Sequence, residues 1–224
     1  MTSERRNLAV VVGTLVFVSL WSAFYTTWRL PPQLPFGTFG LVLGGDVLPL
    51  LAVPLAVARF VLGGPLSDFG WKRPAWRDLL ADTGSAWLAV APLVVWLAMR
   101  PEFQAFYPST AFPPAREHAI GLAFLWLLHH APQLLALEFC YRGFALLPLA
   151  RRFGVGFAVA PLLAWYVALH WGKPTLELVL AAWAGLVFSL VAWRSRSFWP
   201  AFLAHWLVAV TMDLLCFVWG RTPG

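Results

Sequence analysis

The sequence predicts an all-α fold, a polytopic helical membrane protein of about seven transmembrane helices with its N-terminus in the cytoplasm. Three observations predict it. Of the 224 residues, 60% are hydrophobic and only 12% are charged, where soluble domains hold roughly 45–50% and about 25%. Mean hydropathy is +0.72. The remaining charges gather beside apolar runs of spanning length instead of being dispersed. A soluble globular enzyme, a disordered chain and a fibrous one are excluded by this composition.

Seven apolar segments follow one another, at about 8–28, 39–62, 80–99, 119–150, 155–172, 176–193 and 198–219. Seven spanning helices take roughly 140 residues, which leaves only short connections and predicts one integral domain over 1–224. The first segment follows Arg5 and Arg6, and Trp21, Phe24 and Tyr25 interrupt any small-residue cleavage site, so it reads as a retained helix. In the second, Asp46 follows Gly44-Gly45 and reads as an N-cap at a helix break. Pro31, Pro32 and Pro35 mark the loop between the first two segments, and Pro108, Pro113 and Pro114 the loop before the fourth. The fourth segment is too long for a simple span, which predicts a kink near Pro132.

The net charge is +6, and the basic residues fall in alternate loops: Arg5 and Arg6, then Lys72, Arg73 and Arg77, then Arg151 and Arg152, then Arg194 and Arg196. That is the positive-inside pattern, and it places no nucleic acid among the partners. Trp28, Trp71, Trp76, Trp171, Trp193, Trp199 and Trp219 lie near segment ends, as interfacial belts require. Cys140 and Cys216 sit in apolar stretches without metal-ligand spacing and read as packing residues. No internal repeat supports an inverted-repeat transporter.

Ionisable groups inside spanning helices are costly, and each is a functional hypothesis by default. They are Asp46, His129, His130, Glu138, Arg142, His170, His205 and Asp213. Glu138 and Arg142, four residues apart, share a helix face, either as an ion pair that orients helices or as a base with its partner. Counted from the Arg151–Gly154 turn, Glu138 and His170 both lie roughly 20–25 Å deep, which makes them level. His205 lies only about 12 Å from the next basic turn, so tilt or a staggered turn is needed to bring it to them. Asp213, eight residues after His205, is on the same side of its helix. His129 and His130 either enlarge this polar cluster or mark the kink.

The ordered set of Glu138-x-x-x-Arg142-Gly143, Tyr166-x-x-x-His170 and His205 resembles the CPBP family, the CAAX-protease and bacteriocin-processing (Abi) intramembrane endopeptidases. That family carries Glu-Glu-x-x-x-Arg, Phe-x-x-x-His and His-x-x-x-Asn on successive helices, and the resemblance covers about residues 119–219. Two positions depart from it: Leu137 stands where the first glutamate is expected and Ala209 where the asparagine is. The single glutamate and the Cys140-Tyr141-Arg142-Gly143 stretch are similar to the myxosortase-like branch, which processes C-terminal sorting tails.

The resemblance implies metal-independent peptide hydrolysis without a cofactor in a multi-pass protein of the bacterial inner membrane. Glu138 would polarise a water held between it and His170, and His205 would stabilise the oxyanion. Arg142 would fix the glutamate rotamer, with Tyr166 and Asp213 in support. The implied partners are membrane lipids and a protein or peptide whose C-terminal tail is membrane-embedded or lipidated. Leu137 and Ala209 raise an alternative, a catalytically inactive member acting as a binding or immunity protein. A zinc-dependent membrane protease using His130, His170, His205 and Glu138 is a second.

Overall fold

The computed structural model describes residues 3–27, 42–108 and 114–220. Trp28, the prolines at 31, 32 and 35, and Pro113 lie outside the described residues. The chain is helical, with no strand among the described residues. The main helices are α1 (Ser3–Thr27), α2 (Gly44–Val61), α3 (Trp76–Ala98), α4 (Pro101–Phe106), α5 (Ala119–Phe153), α6 (Val155–Ala168), α7 (Thr175–Ser195) and α8 (Trp199–Trp219), with short helical turns at Leu66–Phe69 and Pro114–Glu117. Among the described residues six helices are long and apolar enough to cross a membrane, so this is an integral multi-pass protein. The predicted fifth segment is the exception. As α6 it has 14 helical residues, about 21 Å, because the chain leaves the helix at Leu169 and turns through His170 to Lys173.

The basic turns meet at one end of the bundle. Arg151 Nη2 donates to the Asp68 carbonyl at 2.7 Å, Arg152 pairs with Glu4 at 3.2 Å, and Arg194 pairs with Asp82. Ser197 Oγ donates to the Lys72 carbonyl at 2.7 Å, which ties the start of α8 to the same cluster. Successive passes therefore alternate direction as the charge pattern requires. The tryptophans divide between two roles. Trp76 and Trp171 are exposed as belt residues, whereas Trp71 and Trp199 pack with Phe139 and Phe198 in an aromatic cluster.

Helix α5 is the axis of the fold. Its 35 residues span about 52 Å, more than a hydrocarbon core of about 30 Å. No break occurs at Pro132. The helix instead widens to i→i+5 bonding over Leu125–His130 and again over Phe139–Leu146, each widening ending just before a proline, Pro132 and Pro148. A wider turn accommodates the missing proline N–H and the clash of its ring with the preceding carbonyl, so the helix passes through. Every residue from Glu138 to Leu147 is buried, as befits a helix enclosed on all sides. It is wrapped by α1, α2, α6, α7 and α8, while α3 lies outside against α7 and α8. Gly143 makes the enclosure possible, because a Cβ there would come within 2.5 Å of the Phe69 carbonyl oxygen.

Candidate active site

The buried stretch of α5 carries Glu138, whose side chain is wholly enclosed. One oxygen, Oε1, accepts from Arg142 Nη1 at 3.2 Å, one turn along the helix. The same Oε1 lies 2.7 Å from His205 Nδ1 on α8. A carboxylate can only accept there, so Nδ1 carries the proton. The other oxygen, Oε2, is buried without a protein hydrogen-bond partner. The Arg142 guanidinium also stacks 4.4 Å over the Tyr166 ring, and the Tyr166 hydroxyl stands 3.3 Å from His205 Nε2. With Nδ1 protonated, Nε2 accepts from that hydroxyl. Gly185 on α7 admits the Tyr166 ring, since a Cβ there would meet it at 2.8 Å.

His205 reaches Glu138 because α8 starts deep in the bundle. Phe198, just ahead of α8, packs on Phe139 with ring centroids 5.3 Å apart and lies beside Gly143. The turn before α8 is thus staggered by more than two helical turns relative to the Arg151 turn, which offsets the shorter count of residues to His205.

His170, just past α6, bonds through Nδ1 to the Tyr166 carbonyl at 2.9 Å. That fixes its proton on Nδ1 and leaves Nε2 an acceptor. His170, His205, Tyr166, Gln133 and Lys173 line both lobes of a divided cleft. One lobe, about 130 Å³, runs on to His130, Asp213 and Ala209. The other, about 220 Å³, runs on to Asp46, Ser22 and Leu137. Glu138 is on the wall of neither lobe, so it meets the cleft through His205.

Asp213 lines the smaller lobe with His205. Its Oδ2 accepts from Trp126 Nε1 at 3.1 Å and pairs with His130 Nε2 at 3.0 Å. His129 and His130 are joined through their Nδ1 atoms at 3.1 Å, and His130 lines the smaller lobe. Asp46 is not an N-cap. It lies inside α2, where Oδ1 accepts from Ser22 Oγ at 3.2 Å and Oδ2 from Gln133 Nε2 at 2.8 Å. The would-be zinc ligands do not converge, since His130 is engaged by Asp213 and His205 by Glu138. Among the described residues no group of three His, Cys, Asp or Glu is arranged to hold a metal ion.

Sequence reasoning missed four lining residues. Glu177 accepts from the Tyr107 hydroxyl through both oxygens, at 2.6 and 2.7 Å, and from Lys173 Nζ at 2.7 Å. Burial, and then the Glu177 carboxylate, push the Tyr107 hydroxyl well above the usual phenol range, which keeps it a donor. The four-residue spacing of Lys173 and Glu177 at the start of α7 was the available signal. Gln133, being uncharged, gave none.

Residues 119–211 match the model of the family described as Rce1-like, type II CAAX prenyl endopeptidase. No curated protein and no solved structure matches the chain. The matched stretch runs from the start of α5 into α8 and includes Glu138, Arg142, Tyr166, His170 and His205. Over that stretch the chain is similar to the Rce1-like type II CAAX prenyl endopeptidases, and that similarity, with its membrane-spanning helices, makes it a membrane protease, a hydrolase whose substrates are proteins or peptides.

Proposed function

We propose that this protein cleaves a peptide bond in the C-terminal region of a membrane-anchored or lipidated protein, with its basic end on the cytoplasmic face of a bacterial inner membrane. The observation that carries the reading is the 2.7 Å contact of Glu138 with His205, on the wall of a cleft shared with His170. Hydrolysis builds negative charge on the scissile carbonyl oxygen, and donors preorganised in a dry site stabilise it. Glu138 fixes the His205 ring with its proton on Nδ1, and the ring holds the Tyr166 hydroxyl in the cleft wall as the donor available to that oxygen. Arg142 balances the carboxylate and fixes its rotamer. His170 Nε2 accepts a hydrogen bond from the attacking water. Leu134, Leu180, Val208 and Met212 line one lobe and suit an extended apolar tail, including the sorting tails handled by the myxosortase-like branch.

The test is cleavage of C-terminal-tail peptides, farnesylated and unmodified, by purified protein in detergent, wild type beside Glu138→Gln. Cleavage is expected from the wild type and lost in the variant without loss of fold. A fully active variant overturns the site. A wild type that retains a tail without cutting it indicates a binding protein on a protease fold.

A further inference from the structure

Resting on that reading of the site, we infer that Asp46 is a further catalytic residue, the carboxylate that takes the proton of the attacking water and returns it to the leaving amine. It comes from α2, outside the matched stretch of the chain. Four observations converge on it.

The first is access. Asp46 lines the 220 Å³ lobe together with His170, His205 and Tyr166, so it faces the substrate space that Glu138 does not reach. A lobe of that size and polarity has room for water. The second is charge. Among the described residues the other buried carboxylates each have a cationic or imidazole partner: Glu138 has Arg142 and His205, Glu177 has Lys173, Asp213 has His130 and Asp82 has Arg194. Asp46 is 8% exposed, and among the described residues its hydrogen bonds come from neutral donors, Ser22 and Gln133. A buried carboxylate without a counter-charge is a cost to the fold that function explains. The third is orientation. Ser22 on α1 and Gln133 on α5 each bind one oxygen, which locks the carboxylate plane between three helices. The fourth is the facing wall. Leu137 lines the same lobe, so α5 presents an apolar residue there and its own carboxylate, Glu138, is turned to His205.

The step balances. An O–H bond of the water breaks and its proton goes to Asp46, while the oxygen bonds to the scissile carbonyl carbon. The C–N bond then breaks, its electron pair goes to nitrogen, and nitrogen takes the proton back from Asp46. One water is consumed, one carboxyl and one amine end are formed, and no oxidant or reductant is needed. His170, which lines the same lobe, orients the water through Nε2.

The experiment compares wild type, Asp46→Asn, Asp46→Glu and Glu138→Gln on a tail peptide that the wild type cleaves, with thermal unfolding of each in detergent. Asp46→Asn is expected to lower kcat by about 10²–10⁴-fold while KM stays within about threefold. Its unfolding temperature is expected to hold or rise, because an uncompensated buried charge is removed. Asp46→Glu keeps part of the activity. In Asp46→Ala, added formate restores part of the rate, which a merely structural residue would not allow. Wild-type kcat in Asp46→Asn, or a fall in its unfolding temperature with activity kept, overturns the inference and leaves the Glu138–His205 reading standing. Full activity of Glu138→Gln overturns that reading instead.

Discussion

Glu138 and His205 are 67 residues apart and meet at 2.7 Å, with the imidazole standing between the carboxylate and the cleft. In the proposed reaction the carboxylate acts on substrate through the histidine. Its charge is held inside by Arg142, which is itself only 3% exposed. Two costs follow from that burial, one for each ion, and they offset each other only while both are present.

Removing one partner of the Glu138–Arg142 pair should be worse than removing both. Glu138→Leu is expected to destabilise the protein by about 3–5 kcal/mol, because it strands a buried guanidinium. Glu138→Leu combined with Arg142→Met should recover most of that loss. Chemical unfolding in detergent of the two singles and the double variant measures the coupling.

Tyr166 has two contacts that can be separated. Tyr166→Phe keeps the ring under Arg142 and loses the hydroxyl at His205 Nε2. One hydrogen bond is worth about 0.5–1.5 kcal/mol, so kcat should fall by roughly 2- to 13-fold with little change in stability. Tyr166→Leu also removes the stacking and should lower the unfolding temperature. Equal unfolding temperatures for the two variants would count against the cation–π contact.

The two close-approach glycines make opposite kinds of damage. Gly143→Ala pushes a methyl toward the Phe69 carbonyl, a backbone atom that cannot yield, and should cost about 1–3 kcal/mol of stability. Gly185→Ala pushes on the Tyr166 ring instead, so its main effect should fall on the rate of cleavage. Unfolding and kinetics measured on both variants distinguish the two.

Cleavage should withstand chelators. His130 and His205 are each engaged by a carboxylate, and the candidate ligands do not form a cluster among the described residues. Activity that disappears with chelator and returns with stoichiometric zinc would reverse this expectation.

Much was legible in the chain itself, and for a definite reason. Spanning length and loop charge are local properties, so the helical membrane class, the alternation of passes and the basic end could be read from hydropathy and arginine placement. The i,i+4 spacing of Glu138 and Arg142 is local as well, and the pair is present. The length of α6 was not legible, because an apolar run does not say where a helix yields to a turn.

What only the tertiary structure decided was which polar groups meet. The stagger of α8, set by Phe198 packing beside Gly143, brings His205 onto Glu138 and moves the carboxylate behind it. The same assembly gives His130 to Asp213, and it turns Asp46 from a supposed helix cap into a wall of the cleft. Hydrophobic burial selects the passes residue by residue along the chain. The contacts between passes depend instead on helix offset and on where a glycine lets backbones close, and neither is encoded at the positions of the polar residues themselves.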